Sequence, residues 1–217
     1  MNRLTRRGYR MTAPKWLTWS QRIQAIAQSG LQYTQNTFDI ELYHELSRIA
    51  AEMMAVQTDE DAGEVLRIFS AQEGYATPKL DVRGVVFRNK KILMVRELLD
   101  GGKWTLPGGW IDINEPPAYA VERELREEAG MVVRARKLLA VFDRNQHGHP
   151  PYIFHAYKLF FLCELISEAT PDPVETSDPS WFGEKEIPEL SEARVTTEEI
   201  KRMFEHLRQP DLPTDFD

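Results

Sequence analysis

The hydrophobic pattern of the chain changes period near Lys79, and that change governs what it can fold into. Before it, apolar residues recur at three- and four-residue steps. Trp16, Trp19, Ile23 and Ile26 form one stripe, which Gly30 is expected to interrupt. Leu42, Leu46, Ile49, Met53 and Val56 form a second, near-heptad stripe over four turns. Two such helices make a hairpin that cannot bury both stripes by itself, so they must pack on the following domain or on a second subunit. A polar segment, Gln57 to Gly63, leads into a short helix ending near Phe69, and Gly74 to Pro78 reads as a linker.

After Lys79 the pattern is that of strands. Leu80 to Phe87 and Lys91 to Arg96 are rich in Val, Ile, Leu and Phe and are separated by the turn-like Asn89-Lys90. A helix is predicted from about Pro117 to Ala129, with proline in the first turn, where its missing N–H costs nothing, and Gly130 as the stop. Further strands fit Val132 to Phe142 and Tyr157 to Leu165. A last helix opens on a Thr196/Glu199 capping box and carries the stripe Ile200, Met203, Phe204, Leu207. Strands on both sides of a central helix define a mixed α/β or α+β domain. The domains read as a flexible basic segment 1–15, a helical domain 16–72 and a mixed α/β domain 73–217. There are no repeats and no low-complexity tract.

Composition narrows the function. Hydrophobic residues at 42% suffice for a proper core. A formal net charge of -7 argues against a broad basic face for duplex DNA, yet an acidic site can hold a phosphate when divalent cations lie between the two. The single cysteine, Cys163, follows the apolar run Leu159 to Leu162, so no intrachain disulfide forms and a buried thiol is expected. With no signal peptide and no membrane span, a reducing, cytoplasmic setting is the default. Arg3, Arg6, Arg7, Arg10 and Lys15 make the start basic; a disordered terminus is preferred there over a nucleic-acid arm, and Met11 is an alternative start.

The chemistry concentrates between Gly109 and Met131. Glu124, Glu127 and Glu128 stand at i, i+3 and i+4 and project from one helical face. Solvated faces normally mix charge signs at this spacing. With Arg123 paired to Glu127 one turn away, Glu124 and Glu128 face outward together. Clustered carboxylate oxygens suit hard cations such as Mg²⁺ or Mn²⁺. The preceding Leu106-Pro107-Gly108-Gly109-Trp110 is a side-chain-poor turn that lets backbone carbonyls or a phosphate approach the metal, and Asp112, Asn114 and Glu115 add polar groups before the helix. Metals so held polarise a phosphoryl oxygen, lower the pKa of a water and neutralise a leaving group.

Gly109, Glu115, Arg123, Glu124, Leu125, Glu127, Glu128, Gly130 and Met131 match every fixed position of the Nudix box, nine positions over 23 residues, and on them the chain resembles the Nudix hydrolases. The resemblance implies an α/β/α sandwich around a mixed sheet and hydrolysis of a nucleoside diphosphate linked to another moiety X. It implies Glu124, Glu127 and Glu128 as metal ligands, with the Gly108 carbonyl a further one, and Arg123 and Glu115 as the pair that holds the loop–helix–loop in shape. The segments Gly74 to Gly84, Phe142 to Asn145, Phe160 to Glu164, Trp181-Phe182 and Ile187 to Ser191 are similar to a bacterial subgroup with a helical N-terminal domain, itself similar to the CDP-choline and ADP-ribose pyrophosphatases.

Several residues carry competing readings. Arg83 shares a strand face with Asp81, Val85 and Phe87; it either holds a phosphate or pairs with Asp81. Trp104, Trp110, Tyr119 and Phe142 could stack on a base, but for each the core is the better expectation, and Trp104 is the one retained for substrate binding. His147 and His149 lack a nearby third ligand, so an exposed loop is expected. An acid outside the box often serves this family as base. Glu164 and Glu175 are candidates, Glu175 is named, and Glu124 itself is the alternative. A nucleotide-derived small molecule is the expected substrate. RNA-directed activity and a non-catalytic sensor rank below it, the latter because every box glutamate is present. A homodimer joined partly through residues 16–56 is expected from the uncovered stripes.

Overall fold

The computed structural model describes residues 13–168 and 176–217, without the side chains of 176–178. The chain forms two compact units. One holds the described residues up to Lys79 together with Pro151–His155; the other holds Leu80–Pro150 and Ala156–Asp217.

The first unit is three helices, α1 (Lys15–Tyr33), α2 (Thr37–Thr58) and α3 (Ala62–Ser70). Asn36 caps α2 by accepting the Phe38 N–H at 2.9 Å, and Asp61 caps α3 by accepting that of Glu64, also at 2.9 Å. Gly30 does not interrupt α1, against expectation. It lies inside the helix because the Tyr43 ring packs on its Cα: a Cβ built there would come within 2.3 Å of that ring.

The faces turned into this unit coincide only in part with the apolar stripes, of which Trp16 and Ile23 pack on its core. Leu17, Ser20, Gln24 and Ala27 are buried on α1, and Ser47, Ala50, Ala51, Met54 and Ala55 on α2. Small side chains let the helices approach closely, and the Ser20 hydroxyl donates to the Ala50 carbonyl at 2.7 Å. Trp16, Leu46, Ile23 and Met53 are half-buried, whereas Trp19 (53%), Ile26 (56%), Leu42 (64%) and Val56 (75%) stay exposed. Pro151–His155 belongs to this unit: Ile153 packs on its core, the Tyr152 carbonyl accepts from Gln21 and the His155 carbonyl from the Lys79 N–H.

The second unit is built on a seven-stranded sheet, β1 (Lys79–Arg88), β2 (Lys91–Glu97), β3 (Lys103–Thr105), β4 (Met131–Asp143), β5 (Ala156–Glu168), β6 (Thr176–Phe182) and β7 (Asp215–Phe216), with α4 (Pro117–Ala129) and α5 (Thr197–Arg208). The order is β3-β2-β1-β5-β4-β7, and β6 also pairs with β2. The β4–β7 pair is parallel and β1–β2, β2–β3, β2–β6 and β4–β5 are antiparallel, so the sheet is mixed. Asn89 and Lys90 turn the β1–β2 hairpin with both φ positive, at 52° and 62°.

Alternation along the strands makes two cores. Val82, Val86, Leu93 and Val95 pack with Val121, Leu125 and Ala129 of α4, while Val85, Ile92, Met94, Leu139 and Phe160 pack with Ile200, Met203 and Phe204 of α5. The result is the expected α/β/α sandwich. The expected capping box is formed: the Thr196 hydroxyl accepts the Glu199 N–H and the Glu199 carboxylate accepts that of Thr196. Cys163 is buried with its thiol pKa pushed up to about 12 by burial, as a structural thiol should be. Among the described residues no helix is long and apolar enough to cross a membrane.

Candidate active site

Three local features aim the carboxylates. Gly130 ends α4 in the left-handed region at φ 63°, its N–H reaching back to the Arg126 and Leu125 carbonyls, so the helix stops one residue past its charged turn. Gly84 lets α4 lie on β1: a Cβ there would come within 2.1 Å of Leu125 Cδ1. Gly108 adopts φ 143°, and a Cβ on it would stand 2.0 Å from the Val82 carbonyl oxygen. The turn is tied to β1 by Gly84 N–H to the Pro107 carbonyl at 2.8 Å and Val82 N–H to the Gly109 carbonyl at 2.9 Å. A Cβ on Gly109 would strike the Glu124 carboxylate at 2.9 Å, so glycine there leaves that carboxylate its place.

Within this frame Arg123 is the hub. Its Nε and one terminal nitrogen donate to both oxygens of Glu115 at 2.8 and 3.0 Å, a bidentate pair. The other terminal nitrogen donates to Glu124 Oε1 at 2.8 Å and Glu127 Oε2 at 3.1 Å. The Arg123–Glu127 pairing read from the spacing is present, but Arg123 takes Glu124 as well, so Glu124 is not left with Glu128 alone. Among the described residues, no three acids or imidazoles converge as in a formed metal site.

Glu128 is also tied to the glycine turn. Its Oε2 accepts the Gly108 N–H at 2.8 Å. Burial pushes its pKa up to about 7, with Glu124 and Glu97 adding to the rise and Gly108 and Arg83 opposing it. Burial also raises Glu124. An all-oxygen donor set holding more negative charge than its surroundings compensate fits a hard divalent cation.

The remaining candidates fall in different places. Arg83 is 2% exposed; it contacts Asp81 through Nε at 3.0 Å and donates to the Leu106 carbonyl at 3.1 Å. Fully buried Lys158 donates to the same Asp81 at 2.7 Å. The Asp81–Arg83 pair is therefore present, and a phosphate contact would require the guanidinium to leave these partners. Trp104 is half-buried, edge-on to Phe182 with centroids 4.7 Å apart and with Arg96 over its ring at 4.9 Å. Trp110 and Tyr119 are exposed, and Phe142 is core, stacked on His147 at 3.9 Å. Glu164 is a surface partner of Arg136. Glu175 and the basic residues Arg3 to Arg10 lie outside the described residues.

The exposed-loop expectation for the histidines is corrected. The His149 side chain is fully buried, its Nδ1 2.6 Å from the Glu192 carbonyl oxygen and its Nε2 3.0 Å from buried Glu199, because the proline-flanked loop folds against the start of α5. His147 Nε2 lies 3.0 Å from Asp217. Sequence reasoning also passed over Glu97. It is 4% exposed, paired with Arg194 at 3.0 Å, and near enough to Glu128 to raise its pKa. The available signal was an acid ending the apolar strand Ile92 to Val95.

Comparison with known proteins identifies both parts of the chain. Residues 77–205 match the NUDIX domain, and residues 14–69 match the UDP-X-like, N-terminal oligomerisation domain. A putative ADP-ribose pyrophosphatase of Bacillus subtilis is 42% identical over 203 residues, covering 94% of this chain and 97% of the relative. A solved UDP-X diphosphatase is similar at 31% identity and a TM-score of 0.60, covering 94% of this chain and 98% of that one. A Streptococcus suis ADP-ribose pyrophosphatase covers 65% of this chain and 100% of its own at 34% identity and a TM-score of 0.59. The chain belongs to the Nudix family, a Nudix pyrophosphohydrolase whose catalytic domain follows a helical domain of the UDP-X-like type.

Proposed function

We propose that the protein hydrolyses the diphosphate bond of a nucleoside diphosphate linked to a second moiety X, of the ADP-ribose-like or CDP-choline-like kind, to a nucleoside monophosphate and phospho-X. The observation that carries this reading is the half-buried Glu128 carboxylate, held by the Gly108 N–H beside Glu124 with its pKa pushed up to about 7. The similarity to proteins named for ADP-ribose and UDP-X substrates supports the class of substrate.

Glu124, Glu127 and Glu128, with the Gly108 carbonyl, would hold Mg²⁺ or Mn²⁺. Such a cation supplies neutralisation of the diphosphate charge and activation of a water. The protein's own groups do the rest. Arg123 fixes the carboxylates in space and is itself fixed by Glu115. Glu175, or Glu124 in its place, takes the proton from the attacking water. The Gly108-Gly109 turn lets a phosphate approach without side-chain obstruction, and Trp104 borders the space for the nucleoside. Arg83 holds the Leu106 carbonyl beside this turn and lends its charge to Glu124 and Glu128. The exposed Trp19, Ile26, Leu42 and Val56 stripe supports a homodimer through the helical unit, and the single buried thiol suits a reducing cytoplasm.

A panel of nucleoside diphosphate conjugates assayed with Mg²⁺ or Mn²⁺ tests this. Turnover of at least one adenosine or cytidine conjugate, abolished by EDTA, is expected. No turnover of any member at high enzyme concentration overturns it.

A further inference from the structure

Lys158 and Asp81 are buried charges with no part in the reaction described above. Asp81 and Arg83 alternate along β1 with Val85, and Lys158 alternates along β5 with Phe160. All three therefore stand on the sheet face that Val85 and Phe160 turn toward α5. Lys158 Nζ donates to Asp81 Oδ2 at 2.7 Å. Arg83 Nη2 donates to the same oxygen at 3.1 Å, and its Nε lies 3.0 Å from Asp81 Oδ1. Although burial opposes the ionised carboxylate, Arg83 and Lys158 together hold Asp81 below the ordinary carboxylate range.

Taking three charges out of water is a poor way to gain stability, because apolar side chains of similar volume often serve as well or better. Such a cluster calls for another use, and its contacts lead toward the glutamates. Arg83 Nη1 donates to the carbonyl of Leu106, the residue that opens the Pro107-Gly108-Gly109 turn. The N–H of Gly108 in that turn is the one Glu128 accepts. The backbone ties from Gly84 and Val82 to the turn flank Arg83, so the guanidinium braces the same turn from between them. Paired with Arg83 alone, the Asp81 carboxylate could still rotate about its side-chain bonds. Lys158, reaching it from the neighbouring strand β5, fixes it from a second direction.

We propose that Lys158 and Asp81 are positioning residues for the hydrolysis proposed above, on which this inference rests: they fix the Arg83 guanidinium and, through it, the Leu106–Gly109 turn that holds Glu128. Neither touches the substrate in this role. Their effect reaches the reaction through three hydrogen-bonded steps, from Lys158 to Asp81, from Arg83 to Leu106 and from Gly108 to Glu128.

Lys158→Met and Asp81→Asn test this, each cutting the chain of contacts at a different residue; should one not fold, the other carries the test. Amide hydrogen exchange of the full chain, and kcat and KM on the best conjugate of the panel, are measured well below each variant's Tm. The amides of Leu106, Gly108 and Gly109 should exchange about tenfold faster than in wild type. The kcat should fall about tenfold or more, with KM changed less than about threefold. Met203→Ala, which opens a cavity in the α5 core, is the control: it should lower Tm while leaving both readouts near wild type. Wild-type exchange at the turn, or a fall in kcat no larger than in the control, overturns the proposal. Faster exchange at the turn, in a protein whose wild type hydrolyses no member of the panel, upholds the brace and overturns the hydrolase reading instead.

Discussion

At Glu128 the Gly108 N–H and Arg83 favour the ionised carboxylate, while burial, Glu124 and Glu97 oppose it more strongly. The sign of the consequence follows from linkage. An acid whose folded pKa lies near 7, above an unfolded value near 4.5, destabilises the fold wherever it is ionised. The penalty is absent below the lower value, grows between the two and is complete above the upper one. Metal-free Glu128→Gln should therefore melt a few degrees above wild type at pH 8, the gap closing as pH falls toward 4.5. Melting curves in EDTA across this range check it; a gap independent of pH contradicts the assignment. Glu115 acts through a neighbour instead. Glu115→Gln weakens the bidentate hold on Arg123, so a lower kcat with a Tm loss of several degrees is expected, and full activity would deny Arg123 its positioning role.

Elements succeed or fail here by how closely glycine lets them approach. Gly84→Ala puts a methyl within 2.1 Å of Leu125, which is fully buried and has little room to yield. Overpacking of this kind costs about 1–3 kcal/mol and displaces α4 from β1, carrying Glu124 and Glu128 with it. Reduced stability measured by urea unfolding, together with reduced kcat, is the expected result. The element scale also shows where sequence suffices. The span of α4, its proline start and glycine stop, the capping box of α5 and the carboxylate spacing are all set within one or two turns, so residues 109–131 and 196–207 were legible. The pairs Glu97–Arg194, Lys158–Asp81 and His149–Glu199 were not, because each joins residues far apart in sequence that meet only once the sheet is assembled. β3 and β7 are too short for a period to show.

For the whole molecule, periodicity located the helices of the first unit but not the direction their apolar stripes face. A stripe looks the same in sequence whether it meets its own core or another chain. Here small residues, Ser20, Ala27, Ala50 and Ala51, make the inner contact, and Trp19, Ile26, Leu42 and Val56 are left outside. Light scattering at micromolar concentration should give about twice the 25.2 kDa chain mass, and replacing Trp19 and Ile26 together by glutamate should return it to the single-chain value. A wild-type monomer would refute the dimer.

In the proposed reaction the glutamates of α4 serve hydrolysis of a diphosphate bond with a divalent cation. This is tested most directly by the rate of wild type and Glu128→Gln on the best conjugate of the panel, in saturating Mg²⁺ or Mn²⁺. A fall in kcat of roughly a thousandfold or more is expected, in a variant that melts no lower than wild type in EDTA. Wild-type turnover by Glu128→Gln would contradict it.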